Sequence, residues 1–137
     1  MTDNIVPDLQ AALLCEDVRM EVSGSNSLIG VINVIGAPVM PIRILKLCVF
    51  TRWCCGLGKY NQKTRILHPK DEEEIASAEA SFRLKNESNH ATNVNVFGGL
   101  EFEHLGDYPI EIYLDGDLKL RFSLKIVLTP HKHKKAT

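Results

Sequence analysis

The sequence predicts an all-β domain, an antiparallel β-sandwich of about seven to eight short strands. Its last third alternates apolar and polar residues with a period of two, as strands that bury one face do. Earlier runs rich in Val and Ile are separated by Gly, Pro and Asn clusters, which is typical of all-β folds. With 137 residues, 45% of them hydrophobic, the chain is long enough for one core. We therefore expect a single domain over residues 1–129, followed by a flexible basic tail over residues 130–137.

The first half of the chain contains four predicted strands. The first alternates over residues 12–22 and ends in a cluster of Ser, Gly and Asn. The runs 28–35 and 42–50 are almost continuously apolar, which favours strands covered on most of two faces. Two glycines in the segment 56–58 predict a turn, and a more polar strand follows over residues 60–67.

The segment 75–84 fits two interpretations. Every second residue from Ala78 onward is apolar, as in a strand, whereas the spacing of Ile75, Ala78 and Phe82 also fits one face of a helix. We favour a strand because strands are predicted on both sides. Another short strand follows within residues 94–102.

The C-terminal hairpin gives the sharpest prediction. Apolar residues occupy alternate positions over 108–114 and again over 118–128, on either side of Asp115-Gly116-Asp117. Opposed residues of an antiparallel pair share a face, so a two-residue turn would set apolar side chains against polar ones. We therefore predict a three-residue loop over 115–117. The predicted pairs are Leu114 with Leu118, Ile112 with Leu120, Ile110 with Phe122 and Glu111 with Arg121.

Two resemblances agree with this fold. Gly106-Asp107-Tyr108 resembles the tyrosine corner of immunoglobulin-like sandwiches, in which a tyrosine hydroxyl bonds back to nearby backbone. Taken together with Ala12-Leu13-Leu14-Cys15-Glu16-Asp17-Val18, Ser27-Leu28-Ile29-Gly30-Val31 and Asp115-Gly116, it resembles a family of small bacterial proteins of unknown function. That resemblance covers most of the chain. It implies a β-sandwich and no particular activity, whereas the tyrosine corner implies an immunoglobulin-like architecture.

Charge is segregated along the chain. Residues 22–70 contain seven bases and no acid, whereas residues 71–117 contain twelve acids and two bases. A strip of bases beside aromatic rings suits single-stranded nucleic acid or another polyanion, through phosphate pairing and stacking. The candidate patch consists of Arg43, Lys46, Arg52, Trp53, Lys59, Tyr60, Lys63 and Arg65. Alternatively, these side chains are separately solvated and neutralised by the acidic segment, and the net charge of −1 favours that alternative.

A metal site and an enzyme are the other functions to weigh. Cys48, Cys54 and Cys55 lie close in sequence and His68 follows, but their spacing differs from the Cys-x2-4-Cys pairs of structural zinc sites. Buried or incidental thiols are therefore the favoured interpretation. The sequence contains no phosphate loop, nucleophile elbow or zinc-hydrolase motif. We identify no catalytic residue and no cofactor, and the sequence does not favour an enzyme.

The start of the chain lacks the basic region and apolar run of a secretory signal. The uncharged stretch 26–42 is interrupted by Gly and Pro and is too short to cross a bilayer. We therefore expect a cytoplasmic protein with reduced thiols and no membrane contact. Our leading hypothesis is a binding or scaffolding module that associates with itself or a protein partner through a sheet face or edge. The alternatives are a polyanion-binding module that uses residues 43–65 and a small metal-binding protein.

Overall fold

The structure, a computed structural model, describes residues 4–129, which form nine β-strands and no helix. The strands are β1 (Asp8–Met20), β2 (Asn26–Val31), β3 (Val34–Ala37), β4 (Ile42–Cys54), β5 (Gly58–Leu67), β6 (Glu74–Leu84), β7 (His90–Phe102), β8 (Gly106–Leu114) and β9 (Asp117–Leu128). The all-β prediction is confirmed, and so is the strand interpretation of residues 75–84. The predicted tail over 130–137 lies outside the described residues. No helix within residues 4–129 has the length and apolarity that a membrane crossing requires.

The strands form two sheets. Sheet I has the order β2-β1-β4-β7, and sheet II has the order β3-β9-β8-β5-β6. Neighbours are antiparallel except for β3, which runs parallel to the end of β9. The run 28–35, predicted as one strand, is divided between β2 in sheet I and β3 in sheet II, because the chain crosses between the sheets at Ile32-Asn33. This crossing raises the strand number to nine.

One apolar core lies between the two sheets. Sheet I contributes Leu14, Leu47, Val49 and Trp53, among others, and sheet II contributes residues of β5, β8 and β9. Trp53 is fully buried and stacks on Phe82 with ring centroids 5.8 Å apart. The apolar strand faces predicted from alternation therefore meet in a shared interior. Burial of this interior supplies most of the stabilisation of a fold this size.

The register of the C-terminal hairpin agrees with the prediction away from its turn. Ile110 pairs with Phe122, Glu111 with Arg121 and Ile112 with Leu120. The predicted loop is wrong, because the register shifts after Ile112, so that Tyr113 pairs with Leu118 and Leu114 with Asp117. The connection is thus a two-residue turn, and Leu118 lies on the same face as Tyr113 rather than in the core.

A bulge reconciles the short turn with the apolar alternation. Asp115 and Gly116 both have positive φ angles, 47° and 87°, as a type I′ turn requires. This turn matches the twist of the flanking strands. Lys119 is the extra residue of a β-bulge, and it returns Leu120 to the same face of the sheet as its partner Ile112. The parity of the apolar positions does not reveal this turn, because the bulge interrupts the ladder.

A second irregularity bends sheet I. Ile44 and Leu47 of β4 both pack against the core, although strict alternation would place them on opposite faces. The paired strand β7 changes face at the same level, between Phe97 and Leu100. Gly99 has a φ angle of 63°, which a residue with a side chain rarely adopts, and so accommodates the change. Beyond this bend, β4 and β7 pair without a further register shift, whereas β1 has one against β4 between Leu9 and Ala11.

The tyrosine that opens β8 makes the local hydrogen bonds expected of it. The Tyr108 hydroxyl donates to the carbonyl oxygen of His104 at 2.7 Å and accepts from the His104 amide at 3.2 Å. Its buried ring packs edge-on against Phe102, with centroids 4.8 Å apart. Tyr108 therefore fastens the connection between β7 and β8 to the core.

Candidate functional site

The outer face of sheet I points away from the core. It is apolar over the two rows described next, which lie beyond the bend. The register places Leu13, Phe50 and Val94 in one row across β1, β4 and β7. The next row places Val31, Cys15, Cys48 and Val96 side by side. We call this surface the apolar face, defined by the exposed residues Leu13, Val31, Val94 and Val96 above the buried residues Cys15, Cys48 and Phe50.

Exposure separates the apolar face into a floor and a contact surface. Val31 and Val96 are 54% and 55% exposed, and Leu13 and Val94 are each 37% exposed. Curling of β1 and β2 brings Val18 and Leu28 against the buried floor, and leaves the exposed residues open. The face is four strands wide and about six residues long in the strand direction, so its area is roughly 300 Å². Apolar patches of this size on soluble proteins are often functional.

Charges border the apolar face but do not enter it. At one end, Lys46 Nζ donates to Asp17 Oδ1 at 2.6 Å, and this pairing holds the pKa of the Asp17 carboxyl below its usual value. At the other end Arg52 lies in the row after Phe50. The two central rows contain no ionisable group other than the buried thiols. A partner of this face therefore needs matching apolar surface rather than a complementary charge.

The floor contains two neutral thiols. Burial raises the pKa of Cys15 to about 11, and the adjacent Cys48 adds to the rise. Burial likewise raises the pKa of Cys48 above its usual value. The thiolate is the reactive form, so both groups are inert at neutral pH and act as small apolar side chains.

The raised pKa of Cys15 predicts a loss of stability in alkali. An unfolded thiol loses its proton near the ordinary pKa of 9.0, whereas folded Cys15 keeps it up to about 11. The unfolded state therefore binds fewer protons across this window, and the free energy of unfolding falls as pH rises. We expect Cys15 to account for about 2 kcal/mol of that fall, since each pKa unit corresponds to about 1.4 kcal/mol.

Urea unfolding between pH 8 and pH 11 measures this contribution. The Cys15→Ala variant should lose stability less steeply with pH than the wild type, whatever its stability at neutral pH. Val31→Ala, at the position paired with Cys15 on β2, removes no ionisable group and is the control, which should keep the wild-type slope. Equal slopes for Cys15→Ala and the wild type would contradict the prediction.

The structure does not gather the eight residues of the predicted basic patch into one surface. Trp53 and Tyr60 are buried in the core, because they alternate with outward-facing residues of β4 and β5. Their rings are unavailable for stacking on nucleobases at the surface. Lys46 and Arg52 lie on the outer face of sheet I, and Arg43 lies beside Gly99 at the bend. Lys59, Lys63 and Arg65 lie on the outer face of sheet II.

Ion pairs on sheet II neutralise part of the basic segment. Glu111 is only 4% exposed, although it lies on an outer face, because side chains close over it. Its oxygens accept hydrogen bonds from Tyr113 Oη at 2.8 Å, Arg121 Nη1 at 3.0 Å and Arg65 Nη1 at 3.3 Å. Arg65 also donates to Glu74, at 3.0 Å. Acidic residues of the second half thus form ion pairs with two bases of the first half, Lys63 and Arg65.

The four residues weighed as metal ligands are not brought together. Cys48 lies in the floor of the apolar face, whereas Cys54 and Cys55 lie at the far end of β4 with their sulfur atoms 3.6 Å apart. His68 follows β5 in the other sheet and packs on His104. Within residues 4–129, no three His, Cys, Asp or Glu side chains are placed to share a metal ion.

Sequence reasoning missed the apolar face, although a signal for it was present. The continuous apolar run of β4 was interpreted as coverage on two faces. One face is indeed the core, but within residues 4–129 the outer face is covered only at its β2 side. A strand that is apolar on both faces and covered on one is the pattern of an interaction surface.

A comparison with protein families places the chain. A model described as "Family of unknown function (DUF6941)" matches residues 10–127, which extend from β1 to the end of β9. The chain belongs to this family. Membership agrees with the resemblance found in the sequence and assigns no activity to DUF6941 proteins. A search of curated proteins finds no match to the chain.

Proposed function

We propose that this DUF6941 protein is a non-catalytic binding module, and that its apolar face associates with a second copy of the chain. The observation that carries the proposal is the pair of uncharged rows across β1, β4 and β7, whose outermost side chains are up to 55% exposed. Burying these side chains against a partner releases water and is favourable at about 25 cal/mol per Å² of apolar area.

A second copy suits this surface for two reasons. A twofold interface uses the same patch on both chains, so one apolar face supplies both halves. The bordering Asp17–Lys46 pair is already neutralised within one chain and imposes no requirement for an oppositely charged partner. Two such faces bury about 600 Å² in total, which is below the range of stable interfaces, so the dimer should be weak and depend on concentration.

Sedimentation of wild type and Val96→Asp tests the proposal. We expect the wild type to pass from monomer to dimer between low micromolar and near-millimolar concentration, and we expect high salt not to weaken the dimer, because the contact is apolar. Val96→Asp places a charge on one of the two most exposed side chains of the face and should remain monomeric throughout, because burying an unpaired carboxylate is costly.

The control is Val39→Asp, which makes the same change at an exposed position in the loop between β3 and β4. It should dimerise like the wild type. Circular dichroism and urea unfolding establish that both variants are folded. A wild type that stays monomeric over the whole range, or a Val96→Asp variant that dimerises normally, would reject the proposal.

We further infer an immunoglobulin-like architecture. Numbered from β4, the order β9-β8-β5-β6 corresponds to strands G, F, C and C′, and the neighbours β4 and β7 correspond to B and E. The hydrogen-bonded Tyr108 then stands at the start of strand F, where a tyrosine corner is expected. An experimental structure with a different strand order in either sheet would contradict this assignment.

We propose the cytoplasm as the working compartment. All four cysteines are free thiols, and two of them form the floor of the apolar face. Such a set suits a reducing environment. Thiol counting on protein denatured directly from cells should find four reduced groups, and a disulfide there would count against the proposal.

A further inference from the structure

A basic cavity lies at the end of sheet II, away from the apolar face. It has a volume of about 410 Å³ and is formed where β5 begins, where β6 ends and where the N-terminal segment passes. Among the lining residues within 4–129, Lys59, Arg83 and Lys85 are bases and none is an acid. Asn4 adds a polar uncharged side chain.

The bases of this cavity are placed against each other. Lys59 and Arg83 are direct cross-strand partners on the outer face of sheet II. Like charges at directly opposed positions destabilise a sheet. Within residues 4–129, no carboxylate lies within ion-pair distance of either base or of Lys85, whereas Lys63 and Arg65 in the same sheet both reach Glu74. The cavity therefore concentrates positive charge that no ion pair within the described part of the chain neutralises.

The walls of the cavity are held in place by specific contacts. The Asn4 side chain lies directly over Gly58, where an added Cβ would clash with Asn4 Oδ1. Asn4 Nδ2 donates to the carbonyl oxygen of Lys59 at 3.4 Å. Behind the wall, the buried Tyr60 hydroxyl donates to the carbonyl oxygen of Ile5 and accepts from the Leu57 amide at 3.0 Å.

We propose that this cavity binds a small phosphate-bearing anion. A guanidinium such as that of Arg83 pairs with two phosphate oxygens at once, and the ammonium groups of Lys59 and Lys85 add charge from either side. The described residues of the lining include no aromatic side chain, so they offer no ring for the stacking that single-stranded nucleic acid requires. The size of the cavity also fits a small molecule rather than an extended strand. The proposal is independent of the apolar face, which belongs to the other sheet.

Calorimetric titration of the full chain with inorganic pyrophosphate, and separately with inorganic phosphate, tests this site. We expect binding at low salt that weakens as salt is added. Arg83→Gln should weaken pyrophosphate binding at least about tenfold, the usual value of a charge-assisted hydrogen bond. Arg19→Gln removes an exposed arginine of β1 and should bind pyrophosphate like the wild type.

Thermal unfolding gives a second readout that a merely structural role would not produce. Without ligand, Arg83→Gln should melt at a slightly higher temperature than the wild type, because it relieves the repulsion with Lys59. Pyrophosphate should raise the melting temperature of the wild type but not that of Arg83→Gln. Failure of both anions to bind would overturn the proposal, as would equal weakening in Arg19→Gln. The wild type could instead bind a single-stranded oligonucleotide more tightly than pyrophosphate, with Arg83→Gln abolishing that binding. This result would reject the small anion and make the ligand a polyanion.

Discussion

Replacing Gln62 with leucine is expected to lower the free energy of unfolding by about 3–5 kcal/mol. Gln62 is fully buried, and its side chain points from β5 into the space between the sheets. Its Oε1 accepts hydrogen bonds from Thr51 Oγ1 at 2.6 Å, Trp53 Nε1 at 2.8 Å and Asn93 Nδ2 at 3.0 Å. Leucine has nearly the same volume and no acceptor, so all three donors lose their partner while remaining buried.

The other end of the Gln62 amide extends the same network. Its Nε2 donates to Thr64 Oγ1 and to Asn95 Oδ1, both at 3.0 Å. Thr64 and Asn95 also bond each other at 2.6 Å and would keep that contact in the variant. Within residues 4–129, every buried side-chain polar atom has a partner, so the network is fully satisfied in the wild type. Each buried donor without a hydrogen-bond partner lowers the free energy of unfolding by about 1–3 kcal/mol. Partial rearrangement of the neighbouring side chains limits the total to the value given above.

Urea unfolding of Gln62→Leu measures the loss, and Gln10→Leu is the matched control. Gln10 lies on β1 and is exposed, so the same substitution there breaks no buried network and should change stability by less than about 0.5 kcal/mol. A loss below about 1 kcal/mol in Gln62→Leu would show that the network contributes little. In that case the two sheets would be held by apolar contacts alone.

The Gln62 network illustrates a limit of prediction from alternation. In β5 the inward positions carry Tyr60, Gln62, Thr64 and Ile66, so polar and apolar side chains share the buried face. Alternation assumes that polar side chains face water, and this strand therefore looked merely more polar than its neighbours. Asn93 and Asn95 supply partners from β7, more than 30 residues away, and sequence spacing does not reveal that pairing.

The candidate surfaces were predictable only in part, for a related reason. A count of bases located the positive segment. Neighbouring residues of a strand point to opposite faces, however, so Lys59 faces solvent while the Tyr60 ring is buried in the core. The cavity base Arg83 comes from the segment that the sequence marks as acidic, and only the register of β5 with β6 places it opposite Lys59. The apolar face likewise needs the register of three strands. What sequence reasoning predicted well is local periodicity, and what it missed is pairing across long separations.

The C-terminal hairpin, where prediction was best, carries the second large effect. Ile112→Ala is expected to lower the free energy of unfolding by about 3–4 kcal/mol, since it deletes fully buried methyl and methylene groups from a packed core. Ile112 is completely inaccessible to solvent and lies in the middle of sheet II, between β5 and β9. Neighbours on two strands prevent the site from collapsing around the smaller side chain.

Leu120 is the matched test of how far alternation alone determines burial. It lies directly opposite Ile112 on the same face, and the sequence pattern treats the two residues as equivalent. Leu120 is nevertheless 37% exposed, because β3 pairs only with the far end of β9 and leaves this part of the strand at an open edge. Leu120→Ala should therefore cost about 1 kcal/mol or less by urea unfolding. Equal losses for Ile112→Ala and Leu120→Ala would mean that alternation alone determines burial and that this edge of β9 is not open in solution.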